Sequence, residues 1–184
     1  MASEVKVIDN FIPESDFKLL QEYMLNDVRW AFAPWIADKN NLSLNQYQFC
    51  HVMYYPNVGI VEGNPKVLSP IVERLTCKYI MRVKANLQTY TPELVINDWH
   101  IDMDYNNKTA IYYVNTCDGY TEFEETGQKV ESIRNRIVIF DGSMRHRGTT
   151  TTNSKIRMLI NFNYIPAKDP STFSYKYVDR MNPT

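Results

Sequence analysis

Lys155-Ile156-Arg157-Met158-Leu159-Ile160-Asn161-Phe162-Asn163-Tyr164 alternates with a period of two. In an extended chain successive side chains point to opposite faces. Ile156, Met158, Ile160, Phe162 and Tyr164 then form an apolar face, and Lys155, Arg157, Leu159, Asn161 and Asn163 a more polar one. The stretch reads as a long strand with one face on a core and Arg157 on the other face. Upstream, Arg136-Ile137-Val138-Ile139-Phe140 and residues 108–115, 120–124 and 129–132 read as further short strands, with no glycine- or proline-rich linker between them. Residues 81–90 also alternate: Met81, Val83, Ala85, Leu87 and Thr89 against Arg82, Lys84, Asn86, Gln88 and Tyr90. A polar face turned inward in a two-sheet fold marks a wet site, because buried polar groups need partners; Arg82 and Lys84 read more simply as solvent-facing.

Working back to the start, residues 5–8 read as a short strand. Pro13-Glu14-Ser15 opens a helix with Phe17, Leu20, Tyr23, Met24 and Val28 at helical spacing, and Pro65 signals a second over residues 66–79, with Val67, Leu68, Ile71, Leu75 and Ile80 on one side. Residues 30–55 are aromatic-rich and irregular; Trp30, Trp35, Tyr47, Phe49, Tyr54 and Tyr55 read first as buried packing and second as a substrate groove. Two helices followed by many short strands imply a mainly β fold with supporting helices (α+β), built on a double-stranded β-helix, or jelly-roll, core. The expected organisation is one domain over residues 1–184, with helical support over 13–80 and the jelly-roll core over 81–165. The tail from Pro166 reads as coil with a short strand at 172–178.

Asp98-Trp99-His100-Ile101-Asp102-Met103-Asp104 supplies the chemistry. If residues 99–102 are extended, His100 and Asp102 share a face, close enough to meet at one metal ion. The chain has three histidines, and the only one downstream is His146, after a strand-like run and the turn Asp141-Gly142-Ser143. Two histidines and one carboxylate on one side of an ion form the facial triad of non-haem Fe(II) oxygenases, which leaves open positions for a co-substrate and dioxygen. A 2-oxo acid bound there needs a fixed cation for its far carboxylate. Arg157 is suited to this, since a guanidinium pairs with a carboxylate through two parallel hydrogen bonds and stays charged; Lys155, on the same face, is the fallback. Asp104, Asn86 and Thr149 are candidates to orient the ligands.

On these residues the sequence resembles the 2-oxoglutarate and Fe(II)-dependent dioxygenases, in particular their prolyl-hydroxylase-like branch, from Val7-Ile8-Asp9-Asn10-Phe11-Ile12-Pro13 to Tyr164. The resemblance implies that His100, Asp102 and His146 ligate iron and that Arg157 pairs with the distal carboxylate of 2-oxoglutarate. It also places Tyr90, and Tyr113 in Ile111-Tyr112-Tyr113-Val114-Asn115, against the co-substrate. The implied activity is hydroxylation of an unactivated C–H with Fe(II), 2-oxoglutarate and dioxygen, and ascorbate as an auxiliary reductant. The substrate class is a prolyl or other peptidyl side chain, a free amino acid or another small molecule.

Composition bounds the alternatives. The net charge of −1, with acids and bases interspersed, gives no overall basic field for nucleic acid. Nucleic-acid demethylases of the superfamily carry a second arginine where this chain has Asn163, so a base-repair role ranks below hydroxylation. A cupin-like module that binds metal without turnover has no need of a 2-oxo acid clamp, and a zinc hydrolase would want an extra general base. Cys50, Cys77 and Cys117, an odd and widely spaced set, read as free thiols of a reducing compartment, and the Cys50-His51 pair points to opposite strand faces. With no signal-type or membrane-spanning run, the expectation is a soluble cytoplasmic protein.

Overall fold

A computed structural model describes residues 4–41, 43–55, 59–60 and 64–167. The strand expected at 172–178 lies outside these residues. In chain order the elements are β1 (Lys6–Ile8), α1 (Glu14–Asn26), β2 (Ala31–Ala33), β3 (Gln48–Tyr55), β4 (Gly59–Ile60), a 3-10 turn (Pro65–Leu68), α2 (Ser69–Leu75), β5 (Cys77–Thr89), β6 (Lys108–Tyr113), β7 (Tyr120–Phe123), β8 (Lys129–Glu131), β9 (Arg136–Asp141), β10 (His146–Gly148) and β11 (Ile156–Pro166). The large sheet runs β1-β9-β6-β11-β5-β3-β2, with β4 paired to β3, and the small sheet runs β10-β7-β8. All the pairings are antiparallel. The architecture is mainly β, a jelly-roll core with helices on one sheet.

The period of β11 decides which layer lies where. Met158, Ile160, Phe162 and Tyr164 join Phe17, Leu20 and Met24 of α1 and Ile71, Val72 and Leu75 of α2 in one buried cluster, so the helices cover the outer face of the large sheet. Phe17, Leu20 and Met24 recur at three- and four-residue steps and are fully buried, and each such side chain stabilises the layer by about 1.5–3 kcal/mol relative to exposure. Glu14 and Asp16 lie in the first turn of α1, where the helix dipole favours acids. On the inner face Ile111, Tyr113, Val138, Phe140 and Leu159 meet Phe123, Val130 and Met144 to form a second cluster between the sheets.

Two local expectations are corrected. The second helix does not reach residue 79. Thr76 adopts a left-handed conformation (φ 48°, ψ 50°) that stops α2, and β5 begins at Cys77, four residues before the alternating run. Ile80 and Cys77 pair there with Tyr164 and Pro166 of β11, so sheet pairing overrides the helical spacing of Ile80 with the residues before it. The region 30–55 is not wholly irregular either, since β3 forms an eight-residue strand along β5. Its aromatics mostly pack: Trp30 and Tyr54 lie against the helix-side cluster, and Tyr47 and Phe49 stack with Phe32, while Trp35 and Tyr55 are largely exposed.

Candidate metal centre and co-substrate pocket

His146 is delivered by a tight connection from β9. Ser143 donates from its backbone and hydroxyl to Asp141 Oδ1 (3.1 and 2.8 Å), and Met144 N closes on Asp141 O (3.0 Å). Gly142 is required in this turn, because a Cβ there would fall 1.5 Å from Asn107 Oδ1. The segment before β6 then meets β10 through one antiparallel bridge: His100 N donates to His146 O (3.0 Å) and His146 N to His100 O (2.9 Å). Residues 99–102 thus pair only at His100 rather than forming a strand, yet Asp102 still reaches the same side. One ligand atom each from His100, Asp102 and His146 lies within 4.8 Å of the other two.

Backbone contacts orient both imidazoles. His146 Nδ1 lies 3.2 Å from Met144 O and His100 Nδ1 lies 3.1 Å from Asp98 O. A carbonyl can only accept, so Nδ1 carries the proton in each ring and the Nε2 lone pair is free to ligate. His146 is 3 % exposed and its ring packs 4.9 Å from Phe140 and 4.7 Å from the ring of His100. Burial pushes the His146 imidazole below its ordinary range, Asp102 opposes this and His100 reinforces it, which favours the neutral, ligating form.

Asp102 is a buried carboxylate with dedicated partners. Arg82 Nη2 lies 3.1 Å from Oδ1, while Asn161 Nδ2 (3.1 Å) and Asn163 Nδ2 (3.4 Å) donate to Oδ2. Burial alone would raise its pKa, but His146, Arg82, His100 and the Asn163 hydrogen bond together hold it below the usual carboxylate value. Arg82 is fixed in turn by Nε donating to Asn163 Oδ1 (2.9 Å). The solvent-facing reading of Arg82 and Lys84 is therefore wrong. Arg82, Lys84, Asn86 and Gln88 line a cavity of about 250 Å³, closed over by the segment around Asn97 and His100 and by Thr121, His146 and Gly148 of the small sheet. A tertiary cover of this kind leaves no trace in the period of β5.

Arg157 closes the far end of the same cavity and is 2 % exposed. Its Nε donates to Ser132 Oγ (2.7 Å), Nη1 to Gln88 Oε1 and Thr149 O (3.3 Å each), and Nη2 to Thr121 Oγ1 (3.1 Å). These bonds employ four of the five N–H groups of a guanidinium. No carboxylate pairs with it among the described residues. Burial lowers its pKa, the direction expected of a cation taken from water without a counter-charge. Gly119 and Gly148 make room for it: a Cβ on Gly119 would lie 2.5 Å from Arg157 Cδ, and one on Gly148 3.0 Å from Nη1. Three buried atoms on the cavity wall have no hydrogen-bond partner, Gln88 Nε2, Asn97 Oδ1 and Asn161 Oδ1. A wall with an unmatched cation and unmatched donor and acceptor atoms has the chemistry of a site for a polar, anionic ligand.

The two tyrosines are placed differently from what the resemblance implies. Tyr113 is fully buried behind the wall, its hydroxyl donating to Thr121 Oγ1 (2.8 Å), so it braces an acceptor of Arg157 rather than the cavity itself. Tyr90 is 53 % exposed and lies outside the cavity, in a shallow surface depression with Thr152 and Lys155. The reason is local: β5 ends at Thr89, and Tyr90 N bonds to Lys155 O (3.0 Å) as the chain pairs in parallel with Thr151. Gln88, two residues earlier on the same face, takes the position against Arg157. Lys155 is likewise exposed and away from the cavity, as is Asp104. Asn86 lines the cavity and Thr149 contributes its carbonyl to Arg157, but neither is hydrogen-bonded to the side chains of His100, Asp102 or His146. Sequence reasoning passed over Arg82, Gln88, Asn161 and Asn163, whose signal was their place on the polar faces of β5 and β11. Thr121 and Ser132 carried no signal at all. Cys50, Cys77 and Cys117 are buried free thiols. No described helix is long and apolar enough to cross a membrane.

No protein-family model and no curated protein matches the sequence. Solved structures do. A prolyl hydroxylase from Trichoplax adhaerens, in complex with a fragment of the hypoxia inducible factor oxygen degradation domain, is 15 % identical; the match covers 92 % of this chain and 87 % of that one, with a TM-score of 0.60. The collagen prolyl hydroxylase of Paramecium Bursaria Chlorella virus-1, solved with 2-oxoglutarate, is 14 % identical over 89 % and 96 % of the two chains, TM-score 0.56. The non-heme alpha ketoglutarate dependent carbocyclase SnoK from nogalamycin biosynthesis is 11 % identical over 98 % and 87 %, TM-score 0.64. The chain therefore has the fold of the 2-oxoglutarate and Fe(II)-dependent oxygenases, with prolyl hydroxylases among its structural neighbours.

Proposed function

We propose that the protein is a 2-oxoglutarate-dependent Fe(II) dioxygenase that hydroxylates an unactivated C–H of a small molecule or of a small side chain. The observation that carries this reading is the pairing, within one cavity, of the His100-Asp102-His146 trio with a buried guanidinium, Arg157, that has no carboxylate partner among the described residues. The donor set suits iron: two imidazole nitrogens and one carboxylate, all on the cavity wall, would hold it. When bound, the iron supplies activation of dioxygen, one oxygen atom going to succinate as 2-oxoglutarate loses carbon dioxide and the other to the substrate as a hydroxyl.

The chain's own residues hold and orient. His100 and His146 present Nε2 because their Nδ1–H groups are tied to Asp98 O and Met144 O. Arg82, Asn161 and Asn163 keep Asp102 ionised and fixed. Arg157, with the free Gln88 Nε2 beside it, is suited to take the distal carboxylate of the co-substrate. Phe140 and Phe123 keep water from the back of the His146 ring. A zinc hydrolase reading is weakened because Asp102 is the one carboxylate on the cavity wall among the described residues, and it is committed to Arg82. A metal-binding module without turnover leaves the unmatched Arg157 without a purpose.

The test is succinate release from 2-oxoglutarate in air, with and without Fe(II). The reading expects release that depends on both iron and dioxygen and is lost in Asp102→Ala. Release that persists without iron, or that Asp102→Ala leaves intact, overturns it.

A further inference from the structure

Four side chains of β5 face the cavity, and three of them are engaged. Arg82 is bound to Asp102 and Asn163, Gln88 to Arg157, and Asn86 accepts from Cys50 Sγ (3.6 Å). Lys84 is half-buried on the same wall and has no ion-pair or hydrogen-bond partner among the described residues. Directly opposite it, in register on β11, stands Asn161. The Asn161 amide cannot be turned over, because its Nδ2 donates to the Asp102 carboxylate, which only accepts. Oδ1 is left as an acceptor that is buried, 6 % exposed as a residue, and unpartnered.

Side chains directly opposed on antiparallel strands have Cβ atoms about 4.5–5.5 Å apart. The wall beside the metal trio therefore carries a lysine and a neutral acceptor on directly opposed strand positions. Charge balance says which is already spoken for. On the described wall Asp102 is matched by Arg82, and on the reading above Arg157 is matched by the distal carboxylate of 2-oxoglutarate; Lys84 remains. It stands four residues along β5 from Gln88, roughly 13 Å at strand rise, so it serves a different group from the one held at Arg157. The cavity, at about 250 Å³, lies below the usual range for drug-sized ligands, so the group that enters beside the co-substrate is compact.

We propose that Lys84 and Asn161 read the carboxylate and the adjacent N–H of a free α-amino or imino acid, so that the substrate is an amino acid with both termini unblocked rather than a residue inside a peptide. A residue within a chain lacks the carboxylate, which there is an amide, and keeps at most an acylated N–H. The inference rests on the oxygenase reading and deepens it by naming the substrate class.

The experiment titrates the common L-amino acids, each beside its carboxamide and its N-acetyl amide, into anaerobic protein holding Fe(II) and 2-oxoglutarate. Binding is followed through the visible absorption of the iron-bound co-substrate, and succinate release is then measured in air. At least one free amino acid is expected to perturb the band and stimulate release, binding about tenfold or more tightly than its carboxamide and N-acetyl amide, the discrimination expected of a charged hydrogen bond. Lys84→Met is expected to erase the preference over the carboxamide, and Lys84→Arg to restore part of it. Equal binding of the blocked and free compounds overturns the proposal, as does a silent panel on protein that forms the band. So does a tenfold loss of 2-oxoglutarate affinity in Lys84→Met, which would assign the lysine to the co-substrate. Failure of the wild-type protein to form the band at all removes the oxygenase reading itself, a result distinct from the others.

Discussion

Replacing Arg157 by leucine separates a functional guanidinium from a structural one, because the two roles predict opposite balances. The substitution strands four acceptors, Ser132 Oγ, Gln88 Oε1, Thr149 O and Thr121 Oγ1. Stranding a buried acceptor costs about 1–3 kcal/mol, but the two hydroxyls can rotate to new partners, and Thr121 already receives the Tyr113 hydroxyl. Against this, the wild-type protein buries a cation with no carboxylate beside it among the described residues, an arrangement that costs several kcal/mol before any ligand arrives. The two contributions nearly cancel, so Arg157→Leu is expected to change the urea-unfolding free energy of metal-free protein by no more than about 2 kcal/mol in either direction. Affinity for 2-oxoglutarate, measured by calorimetry on Mn(II)-loaded protein, should by contrast fall by at least about 2 kcal/mol, or about thirtyfold, since one partner of a buried charged pair is gone. The reasoning is refuted by the reverse pattern: a loss of stability well beyond that bound with 2-oxoglutarate affinity unchanged would make Arg157 a structural tie between β11 and the small sheet.

Three further outcomes follow from the geometry. Tyr90→Phe should leave 2-oxoglutarate affinity within about twofold, because the ring lies outside the cavity, whereas Gln88→Met should weaken it by about 1 kcal/mol or more, the worth of one hydrogen bond; calorimetry on the two variants checks the exchange of roles. Gly119→Ala would put a Cβ 2.5 Å from Arg157 Cδ and 2.6 Å from Thr150 O, and is expected to lower the melting temperature and 2-oxoglutarate affinity together, whereas a variant with native values for both would show that the close approach is relieved at no cost. The third concerns pH. The folded-state pKa of His146 is depressed, so below its unfolded value near 6.5 the unfolded chain binds more protons than the native one. This contribution to stability is fully present above that value and is lost as pH falls from it through the folded value. Chelator-treated protein should therefore lose stability between pH 7 and 5, with a shallower loss in His146→Phe; equal slopes for the two would contradict the assignment.

The alternation in 155–164 was legible because both faces of β11 are committed, one to the helix-side cluster and one to the cavity, and such a strand must declare its period. The trio of His100, Asp102 and His146 was legible because His-x-Asp is short-range and the chain has a single histidine after it. What lies between these features was not. A cation on a strand looks the same whether it faces water or a buried carboxylate, so Arg82 and Lys84 were read outward while the small sheet turns that face inward. Tyr90 has the parity of Gln88 but falls one residue past the end of β5, and the pairing with Thr151 that carries its ring away is set 61 residues downstream in the chain. Thr121 and Ser132 reach Arg157 from β7 and just after β8 as isolated hydroxyls without period or motif. The end of α2 at Thr76 depends on β5 pairing with the far end of β11, a contact that no local spacing encodes.

The central claim is that one cavity joins a metal held by His100, Asp102 and His146 to a 2-oxo acid held at Arg157. Its most direct test is the visible spectrum of anaerobic protein with Fe(II) and 2-oxoglutarate. A weak absorption that saturates at one iron and one co-substrate per chain, and disappears in His146→Ala, is the predicted result; an absent band, or one that survives that substitution undiminished, contradicts the account.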